Sequence, residues 1–498
     1  MFPKEGFFAF FLFLIAWTVG VCPGQEVAIP PQRLPIPQPS SGILPVPVLS
    51  KSSTPSARRD RYIQPVQAVT AVTSEDCVID MRSNSPLAWT FDQVISTMLI
   101  SDPRLRIGKE DIRQARAEYW TSSLPPNPTF TAEGGTLPFS RHRITEETPG
   151  GPPELNLQVE FPIDWFLFAK RKAAINSAQW EVRQAQAEYA DLVRERITET
   201  ATLFYDVLEA KALLSVIFQD LNLLVRLENV AKSGVEAGGM PAVEQKRISL
   251  DLLQCRQELL ETEKTLDILK VQLRAQCGCA DYDPDFDITG DLDVPTVMTP
   301  MPLEEAFAMA QQNRPDIRAL RITVSKSKAD VCTENRNAYP EVSPFAGVTR
   351  QYQKAMGDED YNGWGIGVTV TVPLFDRNQG NRAKARSALA QSNHRYRAGI
   401  VDLHAEIIEA DRNLRTAHQQ SHVFAAEEVR LSKQVRDIMI EGFKAGGRPL
   451  IDVLDADRSY RETVRLYISS RADCWRAWYI YNSVVGINST NDVRSTAH

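Results

Sequence analysis

The sequence predicts a membrane protein of mixed α/β class. Short strands of a β-barrel run directly into a long helical body, and the whole is an internal tandem duplication. Three observations predict this. Strictly alternating strands end at a proline and lead into helical patterns too long for a compact domain. The strand–helix–turn–helix stretch occurs twice. The N-terminus reads as an export signal.

Met1 to Gly24 has Lys4, an apolar run from Phe7 to Val21 and small residues after it, the pattern of a secretory signal peptide over 1–24. Cys22 is a candidate lipidation site, but a small residue normally precedes a lipidated cysteine and here it is Val21; cleavage beside Gly24 is the simpler reading. Residues 25–85 form a linker, rich in proline from Pro30 to Pro47, of polyproline type and without a core of its own. The first repeat spans 86–290, the second 291–489, and 490–498 is a tail.

Leu87 to Ser123 is helical in pattern, interrupted near Pro103, and a candidate strand, Thr129 to Thr136, follows. A Pro/Gly-rich loop over 137–154 leads to the clearest strand of this half. There Leu155, Leu157, Val159 and Phe161 share one face, and Asn156, Gln158 and Glu160 the other. After Pro162 a helical pattern runs from Lys170 to Ser233 without proline or glycine, so it would be roughly 95 Å long. No single globular core buries such a rod; it must lie against other helices as in a coiled coil. The pattern breaks at Ala237-Gly238-Gly239-Met240-Pro241 and resumes to about Gln276.

The second half repeats this order. A helix is predicted from about Leu303 to Asn337 and a strand over about 342–352. In the strand Gly363 to Val372, the residues Trp364, Ile366, Val368, Val370 and Val372 share a face. After Pro373 a long helix runs to about Phe443. The break is Ala445-Gly446-Gly447-Arg448-Pro449, and a last helix runs to about Val485. Pro103, Pro128, Pro162 and Gly238 correspond to Pro315, Pro340, Pro373 and Gly446, at offsets of 212, 212, 211 and 208. That period is far longer than a solenoid unit. Ile400, Leu403, Ile407, Ala410, Leu414, Ala417, Ser421 and Phe424 make a heptad seam, and Val193, Ile197, Ala201, Phe204 and Leu208 a similar stripe. The helices 242–276 and 303–337 are each half a rod, as are 87–123 and 450–485; stacked in pairs they match the long ones.

An apolar-out, polar-in strand suits a membrane barrel. Four strands cannot close one, and open edges are not tolerated in lipid, so several chains must contribute. Beyond the N-terminus no run of about 18 apolar residues exists, so no transmembrane helix is expected. The formal charge of −7 argues against a nucleic-acid surface. Seven cysteines at these spacings fit no disulfide framework, and most of them read as packed thiols at helical positions. Asp281 to Asp287 is acidic but lacks the glycine and glutamate of a calcium loop, and reads as a solvated linker. His418 and His422 have a metal-ligand spacing without the glutamate of a zinc hydrolase, and read as an exposed helix face. Cys277-Gly278-Cys279 has no second ligand pair near it in sequence. No phosphate loop and no nucleophile motif occurs, so neither catalysis nor a cofactor is expected.

The duplication, the strand–proline–helix junctions and the two tip loops resemble the TolC-like family of outer-membrane efflux proteins over about 87–487. Lys444 to Ala456, containing Asp452-Val453-Leu454-Asp455-Ala456, is similar to that family's tip motif. Pro373-Leu374-Phe375-Asp376-Arg377-Asn378-Gln379-Gly380-Asn381 resembles the CzcC-like, heavy-metal branch, as does Pro162 with Lys170-Arg171, less specifically. The resemblance implies a homotrimer with four strands per chain and twelve in an outer-membrane barrel, continuous with a helical barrel in the periplasm. It implies a periplasmic adaptor (membrane fusion) protein and an inner-membrane RND pump as partners, with the outer-membrane lipid around the barrel. It assigns Asp452 and Asp455 to the pore constriction, Arg448 to a gate latch, and Gly238, Gly239, Gly446 and Gly447 to adaptor-docking tips. At the first tip Glu244 and Arg247 stand where the aspartates would be. The function implied is a passive duct for heavy-metal cations. The same channel could serve multidrug efflux or type I protein secretion, and a different class, a periplasmic coiled-coil scaffold without a pore, stays open.

Overall fold

The computed structural model describes residues 88–135 and 152–487, apart from 280, 282, 296–297, 355–357 and 446. The signal peptide with Cys22, the proline-rich linker, most of loop 137–154, Gly446 and the tail lie outside the described residues. In chain order the first repeat contains α1 (Phe91–Ser101), α2 (Pro103–Ser123), β1 (Thr129–Gly135), β2 (Glu154–Glu160), the short α3 (Asp164–Leu167), α4 (Lys170–Glu236) and α5 (Ala242–Gln276). The second contains α6 (Leu303–Asn313), α7 (Pro315–Asn337), β3 (Glu341–Gln351), β4 (Tyr361–Thr371), α8 (Gln379–Gln419), a π-turn (Gln420–Phe424), α9 (Ala425–Lys444) and α10 (Leu450–Val485).

Two expectations about helix boundaries need correction. The helix expected from Leu303 to Asn337 is two helices, because Pro315 takes the first helical position of α7 and biases Arg314 to extended backbone (φ −63°, ψ 124°). The second long helix is interrupted by the π-turn, which the heptad seam conceals because its 3,4 spacing continues to Ser421.

α4 has 67 residues and is about 100 Å long. α2, α5, α7 and α10 all pack along it, and α10 also lies against α8 and α9. Short helices therefore flank long ones, as the lengths required. The predicted stripes are the buried ones. Ala201, Phe204 and Leu208 of α4 belong to the main core, while Leu403, Ile407, Ala410 and Leu414 of α8 form a second cluster with Ala306, Ile317 and Tyr481.

Where each opening helix pair breaks, an ion pair pins it to the long helix. Asp102 accepts from the Arg104 backbone N–H, capping α2, and its other oxygen meets Arg196 Nε of α4 at 2.7 Å. Both side chains are almost wholly buried, at 2% and 5% exposure. In the second repeat Arg314 takes the equivalent place, 212 residues on, and binds Asp316 at 2.6 Å and Glu406 of α8 at 2.5 Å. Glu406 lies 210 residues after Arg196. The duplicated pair is thus kept with its signs exchanged.

The four strands form one antiparallel sheet in the order β1-β2-β3-β4. Its register aligns Phe130, Val159, Ala346 and Ile366 in one row, and Ala132, Leu157, Val348 and Trp364 in the next. These rows lie on one face, with Trp364 78% and Ile366 73% exposed. The opposite face carries Thr131, Gln158, Gly347 and Gly365 in one row, and Glu133, Asn156, Thr349 and Gly363 in another. One face is apolar and bare, the other polar.

Each long helix starts behind a residue in the left-handed region, Ala169 (φ 53°) and Asn378 (φ 58°). Lys170 binds Asp164 at 2.7 Å, and Arg171 stacks on Trp165. Asn378 Nδ2 donates to the Glu334 carboxylate at 2.7 Å, tying the second junction to the end of α7. The acidic segment between the repeats exposes Asp281, Asp283 and Asp285, as its charge suggested, but it is also anchored to the helices. Asp283 pairs with Arg274 and Asp287 with Lys211 and Lys270, while Phe286 and Ile288 are buried in the main core. Alternation of acidic and apolar residues lets one side plug the core and the other meet basic helix surfaces. Among the described residues, Cys255, Cys277, Cys279, Cys332 and Cys474 form no disulfide with one another.

Candidate functional site

At the helical end farthest along the chain from the strands, two hairpins turn on the same octapeptide pattern, Gly-x-x-Ala-Gly-Gly-x-Pro, at 234–241 and 442–449. In the first, Gly238 sits at φ 72°, where a Cβ is unfavourable. Its N–H donates to Val235 O, and the Gly239 N–H donates to Gly234 O at 3.0 Å, which is a Schellman closure. In the second, the Gly447 N–H donates to Gly442 O at 2.9 Å in the same relation. Gly446 lies outside the described residues. Pro241 and Pro449 then cap α5 and α10 in extended conformation.

Sequence reasoning missed Gly234 and Gly442, although the octapeptide repeat contains them. A Cβ on Gly442 would stand 2.9 Å from Arg448 Cγ. The missing side chain lets the Arg448 stem lie across the end of α9. From there Nη1 faces Asp452 Oδ2 at 3.7 Å, a loose pair with the arginine 56% exposed. The structure thus brings two of the assigned residues together, Arg448 and Asp452. Asp455, one turn further, is exposed and stands apart from that pair.

Between these acids α10 turns Leu450, Val453 and Leu454 inward. Leu450 and Leu454 share a cluster with Ile217, Leu224, Ile248 and Leu252, so the two hairpins are packed as one tip. The acids consequently occupy the face left outside. Asp452 lies in the first turn of its helix, where the dipole favours a negative charge. At the first tip Glu244 is half-buried and Arg247 exposed.

A second layer of charge lies just behind. Asp457 is 1% exposed and meets Arg461 Nε at 3.2 Å, while Arg465 of α10 binds Glu258 of α5 at 2.6 Å. Asp220 of α4 is buried in the same layer with one carboxylate oxygen lacking a hydrogen-bond partner. Burial pushes its carboxyl up to about 7, against the pull of Arg461. Burial raises Asp457 as well, Arg461 opposing.

The two histidines of the second long helix are not on an exposed face. His418 and His422 are both half-buried, and the His422 Nε2 lies 3.2 Å from the Val294 carbonyl. No helix is long and apolar enough to cross a membrane among the described residues.

Comparison with known proteins places this architecture. The outer membrane efflux protein family matches residues 94–278 and 307–477. The chain is 24% identical over 415 residues to the cobalt-zinc-cadmium resistance protein CzcC of Cupriavidus metallidurans, covering 83% of this chain and 93% of that one. It is 22% identical to the outer membrane protein TolC of Vibrio cholerae, over 64% of this chain and 74% of that one. Among solved structures, CusC superposes with a TM-score of 0.66 at 15% identity, covering 80% of this chain and 92% of CusC. VceC of Vibrio cholerae gives 0.66 at 17%, covering 80% and 96%. The chain belongs to the outer membrane efflux protein family, as a TolC-like protein of the CzcC-like branch, with its place in the outer membrane and its helical body in the periplasm.

Proposed function

We propose that the protein is a passive export duct. Three copies join four strands each into a twelve-stranded barrel, above a helical tunnel that docks through its tips to a periplasmic adaptor and an inner-membrane RND pump. The observation that carries this reading is the sheet. Its apolar face is bare, and β1 and β4 are unpaired at its two edges among the described residues. In lipid such edges are satisfied only when other strands close the barrel, and three copies bring the count into the usual even range.

Heavy-metal cations are the cargo we infer. The likeness to the cobalt-zinc-cadmium resistance protein extends over 83% of the chain, against 64% for the likeness to TolC. Asp452 and Asp455 support the same sign of cargo. Repeated by threefold symmetry they would ring the narrow end with carboxylates, which attract cations and repel anions. Arg448, held beside Asp452, is suited to latch that end, and Gly238, Gly239, Gly446 and Gly447 to present the tips to an adaptor. The protein carries no catalytic role in this scheme; the pump supplies the energy.

The test is assembly and conductance. Protein extracted in detergent should run as a trimer and open conducting channels in planar bilayers. A water-soluble monomer that never conducts would replace the duct with a scaffold. Deleting the chain should lower cobalt, zinc or cadmium tolerance; a loss confined to drug tolerance or protein secretion would reassign the cargo while keeping the duct.

A further inference from the structure

His418 closes α8 and His422 sits in the π-turn that follows. Their ring centroids are 4.9 Å apart and the planes cross at 46°. A π-turn is rare, appears mostly as a single turn within a helix, and recurs at functional sites. The segment joining the two repeats lies over both rings. The His422 Nε2 is 3.2 Å from Val294 O, and His418 hydrogen-bonds the next carbonyl, that of Pro295. A carbonyl only accepts, so each ring must donate one N–H there. This fixes the tautomers. His422 keeps its lone pair on Nδ1. The Nε2 of His418 is buried and without a hydrogen-bond partner, so the lone pair of that ring rests there.

Metal-ligating histidines are prepared in this way, with the second ring nitrogen donating to a carbonyl or carboxylate that holds the ring in place. We propose that His418 and His422 form a two-histidine binding site for a borderline divalent transition-metal cation such as Zn²⁺, Co²⁺ or Ni²⁺. Imidazole nitrogen selects this class over Mg²⁺ and Ca²⁺, which take oxygen ligands. Among the described residues no group of three or more His, Cys, Asp or Glu converges. The site therefore offers two protein ligands, leaves its other positions to water, and holds the cation exchangeably. Because the carbonyls come from the inter-repeat segment, a bound cation would link α8 to the junction of the two halves, away from the tip acids. The site stands whatever passes through the duct.

The experiment uses the full-length protein in detergent with ZnCl₂ as the probe. Zinc should protect His418 and His422 from diethyl pyrocarbonate, mapped by mass spectrometry, and leave His394 and His404 as reactive as before. Equilibrium dialysis should show bound zinc that is lost in His418→Gln and in His422→Gln. Unchanged labelling of the pair in the presence of zinc overturns the site, and this arm needs no variant to fold. Zinc retained in full by the double variant overturns it equally.

Discussion

Asp452 and Asp455 owe their position to their neighbours. Leu450 and Leu454 are drawn into the tip cluster and Val453 is buried, so the acids are left on the outer face of the first turns of α10. Replacing both with asparagine removes charge without touching that packing. Asp452→Asn with Asp455→Asn should lower cation-over-anion permeability in planar bilayers and weaken block by multivalent cations; unchanged selectivity would remove the ring. Asp220 makes a different prediction. Its carboxyl is held near 7, above the ordinary 3.8. The native chain therefore binds a proton that the unfolded chain releases in between, and stability should fall as pH rises from about 4 to about 7. The slope from this one group is at most about 1.4 kcal/mol per pH unit. Asp220→Asn should flatten it, as read by denaturant titration across that range. An unaltered slope would place the titration elsewhere.

At the scale of elements, the two sheet faces and the buried ion pairs set the expectations. Ile366→Lys puts a charge on the apolar face and should cost about 2–4 kcal/mol of barrel stability near the middle of the bilayer. Thr369→Lys, on the other face of the same strand, should cost little. Thermal unfolding of the two variants in detergent distinguishes them, and equal losses would mean that the apolar face does not meet lipid. Arg196→Met leaves Asp102 buried and unpaired, a loss of about 3–5 kcal/mol; exchanging the two residues should recover much of it. Most elements were legible in the sequence because proline and glycine punctuate them. Pro162, Pro373, Pro241 and Pro449 each stand just before a strand–helix or helix–helix passage. The π-turn was not legible, because Ala417, Ser421 and Phe424 keep the heptad phase through it. The fate of His418, His422, Asp283 and Asp287 was not legible either. Each depends on where the inter-repeat segment lies, which no local pattern encodes. At the tip, the place of Asp452 and Asp455 in the first turns of α10 was readable from the motif. The role of Gly442 was not, since it acts through the space it leaves for Arg448.

For the whole molecule, the bare apolar face and, among the described residues, the open edges of the sheet are what the proposed threefold assembly would cover and close. Mixing two differently tagged chains during refolding should yield trimers carrying both tags, and a single tag in every particle would mean that chains do not share a barrel. In a closed ring of three duplicated chains the halves alternate six times, and they resemble each other enough to be confused. The exchanged signs at the helix breaks work against that confusion. A first-half pair of helices docked on a second-half rod would set Asp102 against Glu406; the reverse mistake would set Arg314 against Arg196. Either misplacement brings like charge to like, with Asp102, Arg196 and Arg314 buried and Glu406 exposed, a penalty on the wrong arrangement and not only a reward for the right one. The duplication produced two nearly interchangeable parts, and the reversed polarity gives each an address, so that the order of halves around the proposed cylinder is written into each chain's own ion pairs.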